Sequence, residues 1–175
     1  MKIIIKYGRK TIRPYEFEGR DDITEVVIPE TVKKIGEGAL ADCKNLTKIS
    51  MPSSIEKIGL SAFMGSPIKT SNGMYKAVAL KGGKQFSTSG DKNALKLSSD
   101  WMEVKGEIKV AKNGLHFADA VTACFDYYEG VYGRDFVIYT CQAAGTIEKG
   151  TKHRCAAQRL KLERKLTWKE ISKLF

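Results

Sequence analysis

The chain has 175 residues, 30 Lys+Arg against 20 Asp+Glu, and 42% hydrophobic residues. That length holds one domain or two small ones, and the apolar fraction excludes a fully disordered or collagen-like chain. No apolar run approaches the roughly 20 residues of a membrane-spanning helix. The opening MKIIIKYGRK has three consecutive apolar residues after its first Lys, too few for the core of an export signal, so a cytoplasmic location with no membrane partner is expected.

In chain order, the first feature is a repeat. ITEVVIPETVKKIGEGALADCKN (residues 23–45) overlays LTKISMPSSIEKIGLSAFMGSP (46–67) at an offset of 23 without a gap. Val26 falls on Ile49, Ile28 on Met51, Pro29 on Pro52, Val32 on Ile55, Ile35 on Ile58, Gly36 on Gly59, Ala39 on Ala62 and Leu40 on Phe63. Each unit reads as a short strand with Val26 and Ile28 inward, a Pro that ends it, a second short apolar segment, a Gly that permits a turn, and a small-then-large pair in a short turn or helix. Such a unit cannot bury its apolar face alone, so neighbours must stack as a solenoid. One step further back, Ile3, Ile5 and Ile12 fall under Val26, Ile28 and Ile35, which makes residues 1–22 a degenerate capping unit. Two full units fall below the ~3 usually needed. The rest of the chain is therefore expected to cover the open end at Phe63.

IPETVKKIGEGALADCKNLTKISMP and PSSIEKIGLSAFMGS resemble the BspA-like leucine-rich repeat family, over residues 23–66. Leu40 stands for the usual Phe, and Gly65 lies one place before the usual Cys position. The resemblance implies a ligand- or protein-binding solenoid without catalysis of its own.

GSPIKTSNG (65–73) is rich in turn formers, so a boundary is placed near Ser71–Gly73, dividing the chain into 1–72 and 73–175. MYKAVAL (74–80) predicts a strand and KGGKQFSTSGDKNA (81–94) an exposed loop. Trp101, Val104, Ile108 and Val110 predict a turn followed by a strand. In NGLHFADAVTACFDYYEGVYG (113–133), Gly114 turns the chain and Asp119 caps a helix over 120–128, whose Val121, Cys124, Phe125 and Tyr128 share a face. Tyr127 and Asp126 sit at its rim, and Gly130 and Gly133 end it. FVIYTCQAA (136–144) predicts a buried strand and TIEKGTK (146–152) a turn. HRCAAQRLKLERKL (153–166) alternates as a half-exposed strand, with Ala156, Gln158, Leu160 and Leu162 on one side and Cys155, Arg159, Lys161 and Glu163 on the other. Thr167 and Glu170 form a capping box for a last helix with Trp168, Ile171 and Leu174 inward.

This order, with GEIKVAKNGLHFADAVTACFDYY at its centre, resembles a small domain of unknown function found in phage and gut-bacterial proteins, over residues 74–172. Leu115 replaces an aromatic of that pattern and Ala118 a frequent Cys. The resemblance implies no activity. The fold expected overall is α+β: a short capped leucine-rich-repeat solenoid packed on a small mixed α/β domain.

Catalytic and metal signals are thin. An ADP-ribosyltransferase-like arrangement would put His116 and Tyr75 against a nicotinamide, but the late strand offers only Glu163, on the basic side, as the activating carboxylate. No catalytic residues are therefore assigned beyond that alternative. His116 or His153 with Cys124 or Cys155 has no metal-ligand spacing, and Cys43, Cys124, Cys141 and Cys155 contain no C-x-x-C. Free thiols, no metal and no cofactor are the expectation.

Charge is the firmer signal. Residues 1–72 carry 12 Lys+Arg and 9 Asp+Glu, net +3, whereas residues 149–175 carry 9 and 2, net +7. Arg159, Lys161 and Lys165 alternate about 7 Å apart, near the phosphate spacing of a nucleic-acid strand. Lys152, Arg154, Arg164, Lys169 and Lys173 extend the candidate patch, although no aromatic residue interleaves with it. The function expected is a non-enzymatic binding protein directed at a host protein or ribonucleoprotein complex. The phage resemblance and the charge suggest an inhibitor of a nucleic-acid-handling defence complex such as a CRISPR effector; direct DNA or RNA binding is the alternative.

Overall fold

A computed structural model describes residues 1–81, 84–87, 100–110, 115–126 and 135–175. Contacts divide the chain into two units, Met1–Ser71 with Thr167–Phe175, and Asn72–Leu166. The first break falls at the turn-rich segment. The last helix, grouped with residues 73–175 in the sequence reading, belongs instead with the first unit.

The first unit is a parallel solenoid whose coils repeat every 23 residues. Strands β1 (Lys2–Ile4), β3 (Glu25–Val27) and β5 (Lys48–Ser50) form one three-stranded sheet. Strands β2 (Thr11–Ile12), β4 (Lys34–Ile35) and β6 (Lys57–Ile58) form a second. The registers run Ile3, Val26, Ile49 and Ile12, Ile35, Ile58, which is the sequence offset itself, and they include the degenerate first unit. Ile12, Val26, Val32, Ile58 and Leu46 are completely buried, as the inward positions of stacked coils must be.

The third side of each coil is neither helix nor strand. Its amides still reach the next coil: Tyr15 to Glu37, Phe17 to Ala39 and Gly19 to Ala41, then Gly38 to Leu60, Leu40 to Ala62 and Asp42 to Met64, at 2.6–3.1 Å. Every second residue can bond across only because the chain turns left-handed at fixed places. The positive-φ residues are Tyr15, Gly38 and Ser61 on one row, and Gly19, Asp42 and Gly65 on the other, each again 23 apart. Gly36 and Gly59 have a different reason from the turn expected of them. A Cβ on Gly36 would run into Pro14 and lie 2.7 Å from the Arg13 carbonyl carbon, and one on Gly59 would meet Glu37 and Gly36 in the same way. These glycines let successive coils touch backbone to backbone.

The two ends are closed differently. In the first coil, Arg9 stands where later coils have Val32 and Ile55, and Glu16 where they have Ala39 and Ala62. Arg9 Nη1 and Nη2 donate to the two Glu16 carboxylate oxygens, both at 2.6 Å, and the Arg13 amide adds a third bond at 2.9 Å. A charged pair thus fills two core positions on the outermost turn. At the other end, Phe63 is 1% exposed and its ring lies 5.0 Å from that of Phe175. The Ser71 amide donates to Leu174 at 2.8 Å. The last helix forms through the predicted capping box, with Thr167 N donating to Glu170 Oε2 at 2.8 Å and Glu170 N to Thr167 Oγ1 at 3.3 Å. The Cys43 position of the last coil is taken by Ser66, whose hydroxyl donates to Leu40 O at 2.7 Å and accepts from Cys43 N at 2.9 Å.

The second unit is an antiparallel sheet that closes on itself. Its elements are β7 (Asn72–Lys81), β8 (Lys84–Ser87), β9 (Met102–Glu103), β10 (Leu115–Ala120), helix α1 (Ala123–Asp126), β11 (Asp135–Lys149) and β12 (Arg154–Lys165). β11 lies between β7 and β12, and β10 pairs with both β12 and β7, so β7, β11, β12 and β10 form a ring. β8 extends β7, and β9 pairs with β12 beyond the end of β10. Phe125 of α1 is fully buried and meets Phe136 of β11 edge-on at 5.6 Å. Helix α2 (Trp168–Ser172) completes the list of described elements.

Several expectations change. Strands dominate, and the described helices are two of four and five residues, so the helical share of the α+β reading is smaller than expected. Residues 84–87, read as loop, are strand; the rest of 81–94 lies outside the described residues apart from Lys81, which ends β7. Around Trp101 the strand precedes the turn instead of following it. Asp119 does not cap a helix. It lies in β10 and binds His153 Nδ1 at 2.7 Å and Lys149 at 3.6 Å. The helix begins at Ala123; Gly114, Tyr127, Tyr128, Gly130 and Gly133 lie outside the described residues. The turn expected over 146–152 starts only after Lys149, where Lys152 and His153 both take positive φ and the Arg154 amide donates to Thr151 O at 3.1 Å. That is the two-residue hairpin geometry matched to strand twist.

Candidate functional site

The basic strand is the place to look first, and its register decides which cations share a face. Going up β12, Arg159 pairs with Ala144, Lys161 with Gln142 and Leu162 with Cys141. Arg164 then pairs with Thr140 and Lys165 with Tyr139. β12 therefore carries one extra residue at Glu163, a β-bulge. Gln142 Nε2 donates to Glu163 Oε1 at 2.6 Å, which places Glu163 on the Gln142 side. Directly paired residues share a side of an antiparallel sheet. Arg159, Lys161 and Arg164 thus stand with Gln142 and Thr140, while Lys165 moves to the opposite side with Tyr139. The simple alternation that put Arg159, Lys161, Glu163 and Lys165 together is corrected by this bulge: Arg164 takes the place of Lys165.

The remaining predicted cations are dispersed. Lys152 is exposed at the hairpin tip, and Arg154 is half-buried opposite Ala118. At ~3.3 Å per residue, they lie roughly 30 Å along the strand from Arg164. Lys169 and Lys173 belong to the other unit.

An aromatic partner, missing from the sequence reading, is present. The Arg159 guanidinium lies 4.8 Å above the Trp101 ring, a cation–π contact. β9 sets this up: Glu103 pairs with Arg159 and Met102 with Leu160, so Trp101, two residues before Glu103, falls on the Arg159 side. Trp101 is 37% exposed and Met74 41%. Both line a shallow groove of about 500 Å³ whose walls include Tyr75, Thr140, Gln142 and Glu163. The hint in the sequence was a Trp closing the polar run SSD; the strand pairing that brings it to β12 had no local signature.

Tyr75 and His116 sit on one side of the sheet, since Tyr75 pairs with Ala118, two residues from His116. Tyr75 is buried and lines the groove, and His116 does not line it. Burial pushes the Tyr75 hydroxyl above its ordinary pKa. Among the described residues the one carboxylate lining the groove is Glu163, which accepts from Gln142. His153 is engaged by Asp119 rather than by a thiol. Among the described residues no cluster of three or more His, Cys, Asp or Glu has a metal-holding arrangement, and no helix is long and apolar enough to cross a membrane. The four cysteines are free and buried. Burial raises all four thiols, with Cys141 pushed up to about 12.

The 23-residue coils agree with the family match to the repeat part of the chain. Residues 2–103 match the BspA type leucine rich repeat region, in six copies, and residues 84–174 match a domain of unknown function, DUF7666. Each match covers more than half of the chain, which therefore belongs to the BspA type leucine rich repeat family and carries a DUF7666 domain. No curated protein matches it. Among solved structures, a T. pallidum leucine rich repeat protein, TpLRR, is similar at 22% identity and a TM-score of 0.35 over 37% of this chain. The matched part is 32% of that protein's length. Leucine-rich repeats generally serve protein binding through the extended surfaces that stacked coils create, and the chain has the character of a binding protein.

Proposed function

We propose that this is a non-enzymatic binding protein whose solenoid docks a host protein or ribonucleoprotein complex. The supporting observation is the exposed side of the β1–β3–β5 sheet. Its outward residues line up in register as Lys2, Glu25, Lys48 and as Ile4, Val27, Ser50, at the ~4.8 Å spacing of strands. Glu25 bridges Lys2 at 3.1 Å and Lys48 at 3.5 Å. The Lys2 hydrogen bond first, and Lys48 with it, hold the Glu25 carboxyl below its usual range. Ile4 beside it is 70% exposed and stands in register with half-buried Val27, an apolar pair on the outward side. The finer reading is inhibition of a nucleic-acid-handling defence complex such as a CRISPR effector. It is supported by the net charge of +10 and by the resemblance of the second domain to phage proteins.

The test is affinity capture with the intact protein from bacterial lysate, with and without nuclease treatment, comparing Ile4→Asp/Val27→Asp with Lys152→Glu as a control. A captured protein that drops at least tenfold with the first variant and persists with the second supports the proposal. A partner retained equally by both refutes docking through this face. One lost on nuclease treatment points to nucleic acid instead.

A further inference from the structure

We propose that the Trp101 groove of the second unit binds an unpaired nucleotide of single-stranded nucleic acid, with Trp101 as the stacking platform and Lys161 and Arg164 holding phosphates. This site is separate from the solenoid face and does not depend on it.

Three observations converge. First, the groove is open and part-apolar, and the residues Trp101 and Met74 that line it are both more than a third exposed. Flat apolar side chains in a shallow groove suit a nucleobase, because stacking on an aromatic ring needs one accessible face and no particular edge. Arg159 lies 4.8 Å over Trp101 and fixes the ring, so the platform is pre-set and little side-chain freedom is lost on binding.

Second, the cations beside the groove match a backbone. Lys161 stands opposite Gln142, a groove residue, and Arg164 opposite Thr140, another. The bulge keeps both on the groove side. Their spacing along the strand, roughly 7–10 Å, spans one to two phosphates.

Third, two polar groups of the groove, Gln142 and Glu163, offer acceptors. A carboxylate only accepts, so the 2.6 Å contact from Gln142 uses the amide nitrogen as donor. The Gln142 carbonyl and the Glu163 carboxylate then keep acceptor capacity for a ligand. A base with donors on its pairing edge satisfies that set, and guanine, with N1–H and N2–H2 side by side, satisfies it best. An acidic peptide would meet the same cations but would place its carboxylates against Glu163, which disfavours it.

The experiment uses the full chain and fluorescence anisotropy with labelled ten-nucleotide oligodeoxynucleotides, one alternating T and G and one all T. At low salt both bind, the G-containing strand more tightly. With two phosphate contacts the log–log salt slope is about −1.4, from roughly 0.7 per contact on single strands. Trp101→Ala weakens binding ten- to hundredfold, and Trp101→Phe recovers most of it, which separates stacking from misfolding. Lys161→Gln lowers the slope by about 0.7. Glu163→Gln erases the preference for G while leaving the slope unchanged. In a Trp168→Phe background, the remaining indole fluorescence is quenched by the oligonucleotide. Absence of binding at low salt, equal binding by Trp101→Ala, or equal competition by polyglutamate overturns the proposal.

Discussion

The ion pair at the head of the solenoid offers a sharp test of how the stack is ended. Glu16 accepts both Arg9 bonds and one from the Arg13 amide, and its side chain is only 13% exposed. The Arg9 hydrogen bonds hold its carboxyl at about 2, against an ordinary 4.5. Each pH unit of that gap is worth about 1.4 kcal/mol, so the linkage ceiling is roughly 3 kcal/mol. Arg9 is 28% exposed, and solvent screening brings the expected figure to about 2 kcal/mol. Because the folded pKa is depressed, this stability is fully present above about pH 4.5 and is lost as pH falls towards 2. Glu16→Ala leaves a half-buried guanidinium without its partner and is expected to cost about 2–3 kcal/mol. Arg9→Val with Glu16→Ala restores the residue types of the next coil, Val32 and Ala39, and is expected to fall within about 1 kcal/mol of the parent. Urea titrations followed by circular dichroism, at neutral pH and near pH 3, measure both effects. The reasoning is refuted if the double variant is as unstable as the single one. It is equally refuted if the parent and the double variant lose stability in parallel on acidification.

Gly36→Ala and Gly59→Ala each drive a Cβ into the backbone of the preceding coil, with a carbonyl carbon 2.7 Å away. Each should lower stability by about 1–3 kcal/mol, visible as a fall in Tm; an unchanged Tm means the coils can slide apart. Phe125→Ala removes a fully buried ring against Phe136 and should cost about 3–5 kcal/mol, read from the same titrations. Phe175→Ala strips the ring cover from Phe63 and should cost about 1 kcal/mol or more, with hydrogen exchange at the Ser71 amide rising as its bond to Leu174 loosens. A disulfide reagent at mildly alkaline pH should find the four buried thiols slow in the native protein and all reactive in denaturant. A rapid native phase would contradict the burial that raises their pKa values.

How much of this was legible depends on whether a contact repeats. Ile12, Ile35 and Ile58 stack because their neighbours stack, so a period of 23 in the letters is a period in space. Even the capping coil, which lacks the Pro and Gly, was found by counting back. The same periodicity misassigned the role of Gly36: a turn was expected, and the observed reason is the approach of Pro14, which no single unit contains. In the second unit the contacts do not repeat, and local pattern failed wherever a distant partner intervened. Asp119 reads as a helix cap until Lys149 and His153 claim it from β11 and the following turn. The segment 153–166 reads as a strand with an unbroken alternation until β11 imposes an extra residue at Glu163.

That single bulge has the largest consequence for function. A strand alternates strictly only while both chains advance together; one additional residue exchanges the sides of everything beyond it. Without the bulge, Lys165 would join Arg159 and Lys161, and Glu163 would lie centrally among three cations. With it, Arg164 joins them at the groove edge, and Glu163 turns to Gln142 and becomes an acceptor inside the groove. A composition count sees the same charges either way. What decides whether they form a ladder for phosphates or a selective pocket is the pairing with Thr140 and Gln142, set by β11. The groove therefore owes its chemistry to a register that only the folded hairpin defines. Deleting Glu163 should remove the bulge, leave Arg164 on the Arg159 side and Lys165 with Tyr139, and abolish any preference among bases by taking the carboxylate out of the groove.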